Sequence, residues 1–129
     1  MIRTLLIAIV LSLLSTPVFA GWTKVDENVD GNTYYVDFER IRKHGGYVYY
    51  WGLDDFLKPD KDGDSSSKVY FQGDCKLFRH KYLSDSYHTQ PMGGGTPSTS
   101  SKKPDKHWNY PPPNSIGEFI LKRVCAYAK

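Results

Sequence analysis

Cysteine is scarce in this chain, with two residues, Cys75 and Cys125, in 129. Long apolar runs are scarcer still. Residues 5–14 (LLIAIVLSLL) form a single short one, well below the ~20 residues that a membrane-crossing helix needs, and Pro17 stops its extension. No transmembrane anchor is therefore expected after cleavage. Concentrated positive charge is also missing. A formal charge of +3 predicts nothing strong about nucleic acid, whose binders carry concentrated basic faces, and no nucleic-acid partner is expected.

The signatures of catalysis and metal binding fail one by one. His44, His80, His88 and His107 contain no pair four apart around a glutamate, so the helical zinc-protease arrangement is absent. Residues 98–101 (STSS) lack the glycine frame of a hydrolase elbow. Gly93-Gly94-Gly95 follows no parallel strand and opens no helix, so it cradles no phosphate. Asp60, Asp62 and Asp64 with Gly63 suggest calcium. An EF-hand loop needs glycine sixth and glutamate twelfth, and Ser65 and Phe71 stand there. No catalytic, cofactor-binding or metal-ligating residue is assigned, and no cofactor is expected.

What is present begins with an export signal. Arg3, the apolar run and Val18-Phe19-Ala20 match a secretory signal peptide over residues 1–20, cleaved after Ala20. No cysteine near Ala20 offers a site for lipid, so the product is expected to be exported without a lipid anchor, to the periplasm or the cell surface. In an oxidising compartment two cysteines read as one disulfide, Cys75–Cys125. No thiol nucleophile then remains.

Alternation of period two marks most of the remaining chain as strand. Residues 21–27 and 33–38, separated by the turn signal Asp30-Gly31-Asn32, read as a hairpin. Residues 39–44 are short and charged, with room for one helical turn, and Gly45-Gly46 ends them. Residues 47–57 (YVYYWGLDDFL) place aromatics on both parities, as in a central strand whose outer face is partly covered. Residues 67–80 put Val69, Phe71, Gly73, Cys75 and Leu77 on one side, so the Cys75 sulfur is expected to point inward from a strand. Residues 81–88 continue as strand past a bend, where Tyr82 and Leu83 break the parity; across that bend His80 and His88 could meet, and solvent-facing positions explain them equally well.

Residues 90–113 change character, with three glycines, a Ser/Thr cluster and Pro111-Pro112-Pro113. They read as a long surface connection of the kind that is usually functional or mobile, pinned to the core by Trp108. After it, Ser115 and Glu118 form a capping box, and Ile116, Phe119, Ile120, Val124 and Tyr127 recur at helical spacing, flanked by Leu121 and Cys125. The fold expected is α+β: an antiparallel sheet of about four to six strands, one carboxyl-terminal helix on one face, and one disulfide.

Taken in order, Gly31-Asn32-Thr33-Tyr34-Tyr35-Val36-Asp37, Trp51 with Asp54-Asp55-Phe56, Asp74-Cys75, Met92-Gly93-Gly94-Gly95, Trp108, Pro113-Asn114-Ser115 and Val124-Cys125 resemble the surface-adhesin protein E family. The resemblance spans nearly all of residues 21–129. It implies a sheet with a terminal helix tethered by a disulfide, and a non-enzymatic binding role towards protein, either extracellular matrix or an envelope component. The adhesin that names the family is a surface lipoprotein, whereas this chain lacks the lipid-accepting cysteine. Asn114 also replaces the glycine usual before the capping serine, a change that asparagine's tolerance of left-handed backbone accommodates.

Ten tyrosines and three tryptophans exceed what one small core requires. Either Tyr34, Tyr49 and Trp51 are core and the others cover sheet edges, or the surplus forms an interface, where tyrosine is favoured. Small basic clusters at Arg79-His80-Lys81 and at Lys102, Lys103 and Lys106 suit anionic polysaccharide or acidic proteins, though solvated loop charge is the simpler account. The favoured function is a binding module that works through sheet aromatics and the connection from Gly93 to Pro113. The alternative is a small periplasmic enzyme or an envelope-maintenance factor.

Overall fold

The computed structural model describes residues 21–129; the expected signal peptide and its cleavage point before Gly21 lie at or beyond that boundary. Seven antiparallel strands form one sheet: β1 (Trp22–Glu27), β2 (Thr33–Asp37), β3 (Arg42–His44), β4 (Tyr47–Asp55), β5 (Ser66–Asp74), β6 (Arg79–His88) and β7 (Thr99–Ser101). Their order is β1-β2-β4-β5-β6-β7, and β3 folds back on β4. Six strands form the main path, and three-residue β3 adds one beyond the expected range. Among the described residues one α-helix, α1 (Ile116–Tyr127), closes one face.

Local chemistry explains the turns. Asn28 Oδ1 accepts from the N–H groups of Asp30 and Asn32, and Gly31 takes a φ of 84°. That makes the β1–β2 hairpin turn an Asx turn. Gly45 and Gly46, both at positive φ, give the tight turn between β3 and β4. In β1 a bulge at Val25 shifts the register between Lys24 and Asp26 and lets Val25 reach the core.

The expected strand over residues 67–80 is instead a hairpin, and Asp74 is the reason. Its Oδ1 accepts from the N–H groups of Lys76 and Leu77, and its Oδ2 accepts from Arg79 Nε at 2.9 Å. The chain therefore turns over residues 75–78 and returns as β6. Cys75 is an exposed turn residue, not an inward strand residue, and Leu77 is exposed as well. Burial pushes the Asp74 carboxyl up, but the bonds from Leu77, Arg79 and Lys76 together outweigh it and hold the pKa below the usual value. A depressed folded pKa means stability that is present at neutral pH and lost as the pH falls through the carboxylate range. Asp74→Ala is expected to cost about 1–3 kcal/mol in urea denaturation at pH 7, because three donors lose their acceptor. The difference from the parent should shrink towards pH 3.

The main core lies between the sheet and α1: Val25, Val36, Val48, Tyr50, Leu121 and Val124 are all buried. Ser115 caps α1, its Oγ accepting from Glu118 N at 3.1 Å, while Glu118 Oε1 reaches back to Asn114 N. Asn114 sits at a φ of 63°, in the left-handed region. The apolar stripe of α1 is rotated from the expected one. Leu121 and Val124 face the core, whereas Phe119 and Tyr127 face outward. The disulfide links Cys75 to Cys125 with Cα atoms 5.7 Å apart, fastening the last turns of α1 to the β5–β6 turn.

Candidate binding face

A strand shows its two parities to opposite sides, so the sheet has a second face away from α1. From β4 it presents Tyr47, Tyr49, Trp51 and Leu53, and the partners opposite them on β5 include Gln72, Tyr70 and Lys68. Leu53 is fully buried there, but Tyr35, Tyr47, Tyr49, Trp51 and Tyr70 are only half-buried. Tyr49 and Trp51 are thus outer-face residues rather than core, while Tyr34 does pack against the core from the helix side. The rings touch one another. Trp51 and Tyr70 have centroids 4.7 Å apart, and Tyr49 stacks on Tyr70 at 6.2 Å. Gln72 Nε2 donates to the Tyr49 hydroxyl, which fixes that ring's tilt.

Trp108 extends the band. It rests on Tyr47 with centroids 5.3 Å apart, under the guanidinium of Arg79 and the ammonium of Lys81, at 4.4 and 4.8 Å from its ring. The tryptophan is pinned to the outer face, not to the core. At the other end Trp22, Trp51 and Lys68 border a shallow hollow with Asp37 and Arg40. Asp37 is buried, its Oδ2 paired with Arg40 at 3.4 Å and its Oδ1 without a partner among the described residues. The result is an aromatic platform with cations at both ends, a composition enriched at protein interfaces.

The 90–113 connection is more ordered than its composition suggests. Ser98 N donates to Tyr87 O, β7 pairs with β6, Asp105 N donates to Tyr82 O, and His80 and Asn109 exchange two backbone bonds. It runs along the β6 edge and satisfies groups that would otherwise template another chain. Its first part also seals one corner of the outer face. Ser66 Oγ donates to Gln90 O at 2.6 Å, and Asp55 accepts from Met92 N at 2.8 Å. His88 is buried beneath it; Ser86 Oγ lies 2.9 Å from Nε2 and the Gly94 carbonyl 3.2 Å from Nδ1. A carbonyl only accepts, so Nδ1 carries the proton.

His80 and His88 do not meet. They stand at opposite ends of β6, and the bulge between Tyr70 and Phe71 in the β5–β6 register leaves them on different faces. The 60–64 loop uses its acids on itself: Asp60 Oδ1 accepts from the N–H groups of Asp62 and Asp64, and Asp64 accepts from Ser98 Oγ. Among the described residues no three His, Cys, Asp or Glu side chains gather as metal ligands, and no helix is long and apolar enough to cross a membrane.

The sequence marks Asp54 only as a strand residue and as part of the run that resembles the family, with no role assigned to it. Burial, with no opposing donor or cation, pushes its carboxyl up to about 6. A raised folded pKa means the charged form costs stability above pH 6, and the cost is gone once the unfolded carboxyl is also protonated. Asp54→Asn is therefore expected to raise the melting temperature at pH 7.5 and to leave it unchanged near pH 3.5.

Comparison with known structures gives the same architecture. Crystal form II of Haemophilus influenzae protein E superposes with a TM-score of 0.66 at 21% identity, covering 89% of this chain and 95% of that one. The Se-Met form of that protein gives 0.64 at 18%, covering 87% and 91%. Protein E from non-typeable Haemophilus influenzae gives 0.60 at 20%, covering 87% and 80%. No curated protein sequence matches the chain. The family model described as surface-adhesin protein E matches residues 22–126, the whole of the sheet and all but the last residue of α1, and the chain belongs to that family.

Proposed function

We propose that this protein is an exported, non-enzymatic binding module whose outer sheet face captures a protein partner, either extracellular matrix or an envelope component. One observation carries the reading: Tyr47, Tyr49, Trp51, Tyr70 and Trp108 remain partly exposed on the face that α1 leaves open. Rigid rings in mutual contact are already ordered, so covering them releases water at little cost in side-chain entropy. Arg79 and Lys81 at one end and Lys68 and Arg40 at the other favour a partner with acidic groups at its rim. The connection from Gly93 to Pro113 borders this surface and contributes to it through Trp108. The expected signal peptide over residues 1–20 supports export, with surface or periplasmic residence, and the absence of a cysteine near Ala20 supports residence without a lipid anchor.

The test is capture of the exported protein, from Gly21 onward, by a panel of immobilised matrix and envelope proteins. Central aromatic anchors each contribute about 2 kcal/mol or more, so Trp51→Ser with Tyr70→Ser is expected to weaken capture by more than about tenfold at unchanged helix content. Equal capture by that variant would remove the outer face from the account. Confinement to the periplasm on cell fractionation would exclude adhesion and favour an envelope-maintenance role.

A further inference from the structure

On the helix side of the sheet, remote from the platform just described, lies a second feature that protein capture does not use. A cavity of about 90 Å³ opens between the strands and the first turns of α1, lined by Tyr34, Tyr50, Asp54, Phe71, His80 and Tyr82 among others. Phe71 is its centre of packing. Its ring lies 5.0 Å from Tyr50, 4.8 Å from Tyr82 edge-on, and 5.5 Å from the His80 imidazole. Into this aromatic setting β4 brings one carboxylate, Asp54. No Lys or Arg lines the cavity.

Two polar groups there await partners. Asp54 is half-buried, and desolvation governs its acidity, with no hydrogen bond or cation compensating. His80 Nδ1 is buried without a partner among the described residues, and burial lowers the imidazole's pKa, so it is neutral at pH 7. The surroundings are uniformly negative. Asp26 and Asp30 act on Tyr34 from the β1 side, and Asp105 acts on Tyr82 and His80 from the connection. The lining from β5 (Val69, Phe71) and from α1 (Gly117, Ile120) carries no titratable group. Partial desolvation of a carboxylate that has no partner costs stability, and an incoming cation offsets that cost.

We propose that this cavity binds a methylated ammonium headgroup, with Asp54 as counter-ion and the rings of Tyr34, Phe71 and Tyr82 as its walls. Aromatic rings attract cations through the negative potential of their faces, and quaternary ammonium groups are recognised this way. Methylation matters because methyl groups pack on the ring faces that form most of the wall, whereas a primary ammonium is held more strongly by water and finds few acceptors beyond Asp54 and His80. Size agrees: the space lies well below the roughly 300–1,000 Å³ of sites for drug-sized ligands, so it admits a headgroup and not a whole nucleotide.

Choline chloride and tetramethylammonium chloride, titrated into isotopically labelled protein at pH 7.5 with ionic strength held constant by sodium chloride, test this. Saturable amide shifts are expected at Asp54, His80, Tyr82 and Gly117, with Trp51 and Tyr70 on the opposite face unmoved. Asp54→Asn, which is expected to fold at least as stably as the parent, should bind at least tenfold more weakly. Lowering the pH from 7.5 to 5 should weaken choline binding as Asp54 takes up its proton. Methylammonium chloride should bind more weakly than choline. Shifts that sodium chloride reproduces, undiminished affinity in Asp54→Asn, or methylammonium binding as tightly as choline would each overturn the proposal. The shifts at Trp51 and Tyr70 keep this outcome separate from the fate of the platform.

Discussion

Replacing both cysteines, Cys75→Ser with Cys125→Ser, is expected to cost about 2–5 kcal/mol, the range for removing a native disulfide from a small secreted domain. The bridge joins residues 50 apart, and restricting a loop of that length in the unfolded chain accounts for roughly 4 kcal/mol in the chain-entropy model. Its position adds a local effect. Cys75 belongs to the β5–β6 turn and Cys125 to the last turns of α1, a helix of 12 residues. Helices that short persist in water only through packing. Loss of the bond should therefore release the carboxyl-terminal turns first. Phe119 and Tyr127 are exposed in either case; the newly exposed groups are Leu121 and Val124, which are fully buried in the intact protein. Hydrogen exchange reads this directly, and the double variant should lose protection from Leu121 to Tyr127 ahead of β4 and β5. Full protection there would mean that packing alone holds the helix. Intact protein that labels with a thiol probe under non-reducing conditions would refute the bond.

The second large effect is expected at the contact between α1 and the middle of the sheet. Gly73 leaves a gap on β5, and the Leu121 side chain occupies it. A Cβ built on Gly73 would stand 2.9 Å from Val48 Cγ2 and 3.2 Å from Leu121 Cδ1. Leu121→Ala empties a fully buried site and should cost about 2–5 kcal/mol. Gly73→Ala overfills the same space and should cost about 1–3 kcal/mol. The two changes are complementary, because the methyl added on the strand enters the space vacated on the helix. The double variant is thus expected to lose less than the sum of the singles, by about 0.5–3 kcal/mol in a denaturation cycle. Strict additivity would show that the two residues do not share one packing site.

How much of this was legible beforehand depends on which physical signal each element carries. The β1–β2 hairpin was readable because Asp30-Gly31-Asn32 interrupts two alternating runs, and the aromatic run of β4 marked a central strand. Ser115 and Glu118 placed the start of α1. Its stripe was misplaced because Phe119 and Tyr127 are large enough to suggest burial, yet Tyr127 instead packs at a tilt against Phe38, with centroids 5.3 Å apart, and Arg123 lies over Phe38 and Phe119. The turn at residues 75–78 carries no glycine or proline, and Phe78 takes a φ of 54° without either. Its one sign was Asp74, a residue that bonds its own backbone ahead. Strand β3 consists of Arg42, Lys43 and His44, all exposed, so no apolar period announces it. Strand β7 is a serine and threonine segment that exists because β6 needs an edge partner.

The site was half legible. Aromatic excess is visible in composition, but which rings face outward depends on which face the helix covers, and pairing across β4 and β5 decides that. Asp54 was hidden for a related reason. It follows an apolar parity as any strand residue does, and only the closing of α1 over the sheet makes it a half-buried carboxylate.

The division of the sheet into a face closed by α1 and an aromatic face left open for a partner is tested most directly by footprinting. Hydroxyl-radical labelling of the captured complex against the free protein should protect Tyr49, Trp51, Tyr70 and Trp108 and leave Phe119 and Tyr127 as reactive as before. Protection of Phe119 and Tyr127, with the four platform residues unchanged, would contradict it.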